Sequence, residues 1–171
     1  NFKVAATPDE FEAIHALNYR TFVEEIPQHS PNGERRLVDK FHAENTYLIA
    51  CSGAQLAGMI ALRARRPFSL DAKLPDLDAH LPPGRHWVEV RLLAVEKAWR
   101  GTKVFAGLMR LLEREVTARG HGTVFREAGF DAEIGWYGPV PEGFTSPLHL
   151  KSATGKELIA RPIEIGADGV L

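Results

Sequence analysis

Between Val104 and Val116 the apolar residues Val104, Phe105, Leu108, Leu111, Leu112 and Val116 recur three and four apart, which predicts a helix over Thr102 to Arg119 with one buried face. Gly120 stops it. Just before it, "HWVEVRLLAVEKAW" is rich in β-branched and aromatic residues and predicts a strand. A second helical pattern opens near the start of the chain. Thr7 stands as N-cap, Pro8 at the first helical position, and Glu10 completes a capping box, while Phe11, Ile14, Leu17 and Phe22 mark the buried face. "NFKVAA" before it reads as a short strand. "NTYLIACSG" and "AQLAGMIALRAR" meet at a turn over Ser52, Gly53 and Ala54, the pattern of an antiparallel hairpin. Two stretches break the periodicity: Ile26 to Arg36, a loop rich in Pro, Asn and Gly, and Arg66 to Arg85, an irregular excursion with a helical turn near "LDAHL". Past Phe130, Gly and Pro divide the chain into short strands.

These elements predict an α/β (α+β) fold, a mixed and twisted sheet flanked by helices. At 171 residues the chain suits one domain, 1–171, whose last third, about 123–171, is atypical in pattern. Twenty-one Lys plus Arg stand against twenty-two Asp plus Glu, for a net charge of -1. That balance provides no global field for nucleic acid or an anionic membrane, and Trp87, Trp99 and Trp136 are too scattered for a base-stacking platform. The lone cysteine, Cys51, lies in an apolar strand and reads as a small buried thiol. No run reaches membrane-spanning length and no signal-peptide pattern opens the chain, so the cytoplasm is the expected compartment. The seven His residues lack ligand spacing, and no metal is expected.

The junction of strand and helix carries the chemistry. Arg100, Gly101, Thr102 and Lys103 sit where the first unpaired N–H groups of the helix point beyond the strand end, and the helix dipole favours an anion there. Gly101 permits close approach to the backbone, Thr102 caps the helix or donates to a phosphate, and Arg100 with Lys103 supplies charge. An ordinary surface turn has the same composition.

The context resembles the GNAT superfamily of N-acyltransferases, which bind acyl-coenzyme A. Leu93-Ala94-Val95 matches its strand end, Arg100-Gly101 its phosphate turn, and "GLMRLLEREVTARG" its helix. Lys103 and Phe105 stand where the usual pattern has small residues. Over roughly the first two-thirds of the chain, "NYRTFVEE", "RRLVDKFHAENTYLIACSGAQLAGMIALRARRPFSL" and "LPDLDAHLPPGRHWVEVRLLAVEKAWRG" resemble the branch of acyl-homoserine-lactone synthases and N-acyl amino acid synthases. Asn18, His42 and Leu92 replace residues common in that branch.

The resemblance implies acetyl-CoA or a longer acyl-CoA as co-substrate, held by Leu93, Ala94, Val95, Arg100, Gly101, Thr102, Lys103, Val104 and Phe105. Glu89, six residues before Val95, would be the base that neutralises an attacking ammonium; its alternative is a pairing with Arg91 or Arg63. Backbone N–H groups near Leu93 or Val95 would polarise the thioester carbonyl, given a splay of the central strand. The family's Tyr-x-x-x-Gly-Phe acid has its nearest counterpart in "FREAGF", where Phe125 has no proton to give and the expected fifth strand is not evident beforehand. Tyr137 is the candidate acid, with Tyr19 and Tyr47 as alternatives, and each of the three reads first as a packed or interface aromatic. Tyr19, Arg20, Phe22 and Phe41 are candidate acceptor or acyl contacts. Arg63, Arg65 and Arg66 form a basic edge suited to solvent or to an acyl carrier protein. The expected reaction is acyl transfer, with acetyl as the first choice, to the primary amine of a small molecule. A long-chain synthase using an acyl-carrier thioester, a non-catalytic acyl-CoA-binding regulatory module and a homodimer stay open.

Overall fold

The computed structural model describes residues 1–72, 76–80, 86–119, 123–128, 131–135, 148–151 and 157–160. The capping box at Thr7 and Glu10 forms as the sequence predicts: the Glu10 N–H donates to Thr7 Oγ1 at 3.3 Å, and Glu10 Oε2 accepts the N–H groups of Ala6 and Thr7 at 2.8 and 3.1 Å. Those backbone donors, with Lys3 beside them, hold the Glu10 carboxyl at about 2. The box starts α1 (Pro8–Tyr19), which follows β1 (Phe2–Val4). Ile14 and Leu17 are buried, and Phe11 and Phe22 pack at the edge of the same cluster. The helix then widens into a π-helical turn, Arg20–Glu25, which periodicity did not indicate.

The hairpin consists of β2 (Thr46–Ser52) and β3 (Gln55–Arg63), antiparallel, with Gly53 at φ +59° between them. Leu56 through Arg63 are all buried, as in a strand covered on both faces. β4 (Trp87–Val95) is shorter than the sequence pattern suggests, since Lys97–Trp99 forms a 3₁₀ turn instead. α2 (Val104–Ala118) buries Val104, Leu108, Leu111, Leu112 and Val116. Phe105 departs from the expected buried face and is 43% exposed. One residue is a rotation of about 100° from Val104, so Phe105 falls outside the i, i+4, i+7, i+8 stripe.

After α2 comes β5 (Thr123–Ala128), parallel to β4 in the register Trp87↔Thr123 to Val90↔Arg126, and then β6 (Asp131–Gly135), antiparallel to β5. The fifth strand is therefore present, and most of "FREAGF" lies within it. α2 itself is the crossover that a parallel pair requires. The six strands hydrogen-bond in sequence order, β1 to β6, while β7 (Leu148–Lys151) and β8 (Glu157–Ala160) make a separate antiparallel pair. The chain divides into two compact units, each built from two segments: Asn1–Leu62 with Leu92–Leu112, and Arg63–Arg91 with Glu113–Leu171.

Candidate active site

In the first unit, the β4–α2 connection is a type II turn. Trp99 O accepts the Thr102 N–H at 3.3 Å, Arg100 is extended at φ -68° and ψ 145°, and Gly101 takes φ +74° at the third position. Only glycine adopts that φ without strain, so Gly101→Ala is expected to cost about 1 to 2 kcal/mol, read as a lowered midpoint in a denaturant melt. A Cβ there would meet open space, which leaves strain as the whole of the effect. Thr102 fills the N-cap role: its Oγ1 accepts the Val104 N–H at 3.3 Å and donates to Trp99 O at 2.6 Å. Lys103 is exposed, and its carbonyl accepts the Gly107 N–H at 2.9 Å.

Arg100 is tied into this turn rather than pointing freely from it. Its Nε donates to Val95 O at 3.0 Å and its Nη2 pairs with Glu25 of the π-helical turn. Arg20 pairs with Glu96, just past the end of β4. Both acids are partly exposed, so each pair contributes about 1 kcal/mol or less. Under the turn, Gly58 of β3 sits tightly: a Cβ would lie 3.1 Å from Ala94 O, 3.2 Å from Val104 Cγ1 and 3.2 Å from Leu108 Cδ1, so its neighbours would have to give by a few tenths of an ångström. Strand end and helix start are thereby packed closely together. Ala94 is buried, and Leu93 and Val95 are half-buried.

The other candidates in this unit are more enclosed. The buried Tyr19 donates its hydroxyl to Asn32 O at 3.3 Å and so anchors the Ile26–Arg36 loop. Phe22 packs on the core, and Phe41 lies beneath Lys40, whose Nζ is 4.8 Å from the ring centre. His42 stacks edge-on against His15 and Phe11, with Nδ1 3.1 Å from the Tyr47 hydroxyl. Burial, and then the neighbouring His42, lower the pKa of His15.

In the second unit, Glu89 is 1% exposed on β4. Its Oε1 accepts the Ser69 N–H at 2.8 Å, and Oε2 lies 3.4 Å from Arg91 Nη1. Burial pushes its carboxyl above the usual value of 4.5, while Arg91 and the Ser69 donors pull it back. The alternative pairing, with Arg91, is present, and both side chains are largely buried. Arg63 corrects the basic-edge reading: it is 1% exposed and donates from Nε to Pro67 O at 2.9 Å. Arg65 and Arg66 are exposed, and Arg66 is engaged by Asp71 and Asp78. Tyr137 lies outside the described residues, as does Trp136. Ser69, Glu25 and Glu96 carried no sequence signal, because each meets its partner across a turn or from a distant part of the chain. Among the described residues no group of three or more His, Cys, Asp or Glu side chains is placed to hold a metal, and no helix is long and apolar enough to cross a membrane.

Solved structures of known proteins share this fold. TofI, solved in a ternary complex with an inhibitor and MTA, superposes with a TM-score of 0.57 at 19% identity, covering 74% of this chain and 71% of that one. BjaI, a CoA-dependent acyl-homoserine lactone synthase solved with SAM and isopentyl-CoA, gives 0.56 at 21%, covering 69% and 58%. An aminoglycoside 6'-N-acetyltransferase complexed with coenzyme A gives 0.51 at 18%, covering 74% and 60%. The likeness at these identities is one of fold, and the chain spans less than two thirds of the last two proteins. No curated protein sequence matches the chain. Residues 17–110, more than half of the chain and inclusive of Glu89 and the capped turn, match the acetyltransferase (GNAT) domain family. The chain belongs to the GNAT family of acyl-CoA-dependent acyltransferases.

Proposed function

We propose that the protein transfers an acyl group, acetyl in the first instance, from acyl-CoA to the primary amine of a small molecule. One observation carries the reading: a type II turn with glycine at its left-handed position delivers β4 into a capped helix N-terminus flanked by Arg100 and Lys103. The pyrophosphate would take the α2 amides and these two cations, displacing Glu25 from Arg100. Leu93, Ala94, Val95, Val104 and Phe105 would line the path of the pantetheine arm.

Glu89 would accept the proton of the acceptor's ammonium, directly or through water. The free amine then attacks the thioester carbonyl carbon, whose oxygen is polarised by an N–H near Leu93 or Val95. Among the described residues, parallel pairing between β4 and β5 runs as far as Val90, short of Leu93 and Val95, which supports an N–H free for that purpose. Collapse of the tetrahedral intermediate breaks the carbon–sulfur bond. Tyr137 is the candidate donor of a proton to the leaving thiolate. Tyr19, Arg20, Phe22 and Phe41 are candidate contacts for acceptor or acyl chain.

A second reading, a longer acyl donor delivered on a carrier protein, draws on Lys103 and the exposed Phe105, which occupy positions that are small in the usual phosphate turn. Release of free thiol distinguishes the two. Acetyl-CoA, hexanoyl-CoA and palmitoyl-CoA, each offered with a panel of amino acids, polyamines and an aminoglycoside, should give amine-dependent thiol release fastest with acetyl-CoA. A preference for the long chains would favour the second reading, and no release with any pair would remove the enzymatic one.

A further inference from the structure

Glu89 and Arg91 are two residues apart on β4, so their side chains leave the same face of the strand. Between them stands Ser69, from the 3₁₀ turn Ser69–Ala72 in the irregular excursion after β3. It touches both members of the pair. Its main-chain N–H donates to Glu89 Oε1 at 2.8 Å, its hydroxyl also hydrogen-bonds Glu89, and its Oγ accepts from Arg91 Nη1. The turn is fastened on several sides. Arg63 donates to Pro67 O at 2.9 Å, Phe68 is buried, Asp71 accepts the Phe68 N–H and pairs with Arg66, and the Arg66 guanidinium lies 5.3 Å above the Phe68 ring.

A carboxylate removed from water loses its charge unless donors replace the lost hydration. Here one residue supplies two of those donors and, through Arg91, orients a third. We infer that Ser69 is the positioning residue of Glu89, fixing the carboxylate's orientation and favouring its charged form. This rests on Glu89 as the base proposed above. The turn aims Glu89 and donates to its charged form; without the Ser69 hydroxyl the protonated acid, which cannot accept the substrate's proton, persists to higher pH.

The test follows the Glu89 carboxyl carbon by ¹³C NMR as pH is varied, in the wild-type protein and in Ser69→Ala, Ser69→Gly and Ser69→Thr, with no substrate present. The two variants lacking the hydroxyl should move the titration midpoint upward by about one pH unit, and Ser69→Thr should restore it. The acid limb of amine-dependent thiol release should move with it. A midpoint unchanged in both Ser69→Ala and Ser69→Gly would overturn the inference. So would a Ser69→Thr midpoint no closer to the wild type than theirs. Thiol release that survives Glu89→Gln removes the base and this role together. Release lost in Glu89→Gln with midpoints unchanged at Ser69 removes the part played by Ser69 alone.

Discussion

Glu89→Gln is expected to lower amine-dependent thiol release by about 10²- to 10⁴-fold while leaving CoA affinity within a factor of two or so of the wild type. Gln keeps the shape of the side chain and an oxygen that accepts the Ser69 N–H, but it has no basicity at any working pH. The donor's pyrophosphate is assigned to a different part of the chain, the Arg100–Lys103 turn, so thioester binding has no reason to follow. The pH dependence of the wild-type rate provides a second reading of the same residue. Burial raises the Glu89 pKa above 4.5, so the acid limb should lie above that value instead of at it. The sign for stability is the reverse of an ordinary ion-paired carboxylate. Between 4.5 and the raised folded value the folded protein binds more protons than the unfolded chain, so the contribution of Glu89 to stability falls as pH rises through that window. A base kept in the interior is a cost to the fold at neutral pH, compatible with a functional placement.

Leu108→Ala is expected to cost about 2 to 5 kcal/mol, read as a shift of the urea or thermal midpoint. Leu108 is 0% exposed, and its Cδ1 lies where Gly58 of β3 leaves space, so truncation opens a cavity between strand and helix that the glycine cannot fill. For a chain of this length the loss corresponds to roughly 5 to 15 °C in Tm. Phe105→Ala, three residues away on the same helix, is the control. Its ring is largely outside the core stripe, and the change should stay below about 1 kcal/mol. Equal losses at the two positions would contradict the placement of the buried face.

Those two positions also mark how far the sequence was legible. Spacing placed α2, and the capping box placed the start of α1 to the residue, because helix caps and periodicity are local and each is written within four or five neighbours. The hairpin turn at Gly53 and the glycine at Gly101 were readable for the same reason: a positive φ leaves few residue choices. Phe105 was misplaced because apolar character alone does not distinguish a residue on the stripe from one a single rotation away.

Features decided by distant contacts were not legible. The π-helical turn at Arg20–Glu25 adds one residue per turn without a compositional signature, and its acids and bases meet partners at Glu96 and Arg100 that local rules do not pair with them. β5 is short and half polar, so "TVFREA" carries no clear strand pattern, and its pairing with β4 defines it. Ser69 reaches Glu89 across an irregular excursion, and Arg63 is buried against the backbone of that same excursion. Glu89, Gly101 and Thr102 could be nominated from the sequence; the hydrogen bonds that orient Glu89 come from a distant turn and are not written in local spacing.

The central claim is that the Arg100–Lys103 turn at the start of α2 holds the phosphates of an acyl-CoA. The most direct measurement is the melting temperature of the protein in a concentration series of CoA, acetyl-CoA and palmitoyl-CoA, beside Arg100→Ala and Lys103→Ala. A ligand present at about 100 times its Kd stabilises the fold by roughly 2.7 kcal/mol, which for a chain of this length is about 5 to 10 °C. A rise of that size in the wild type, reduced in both variants, is the predicted result. No rise with any of the three compounds, or a rise indifferent to both substitutions, would contradict it.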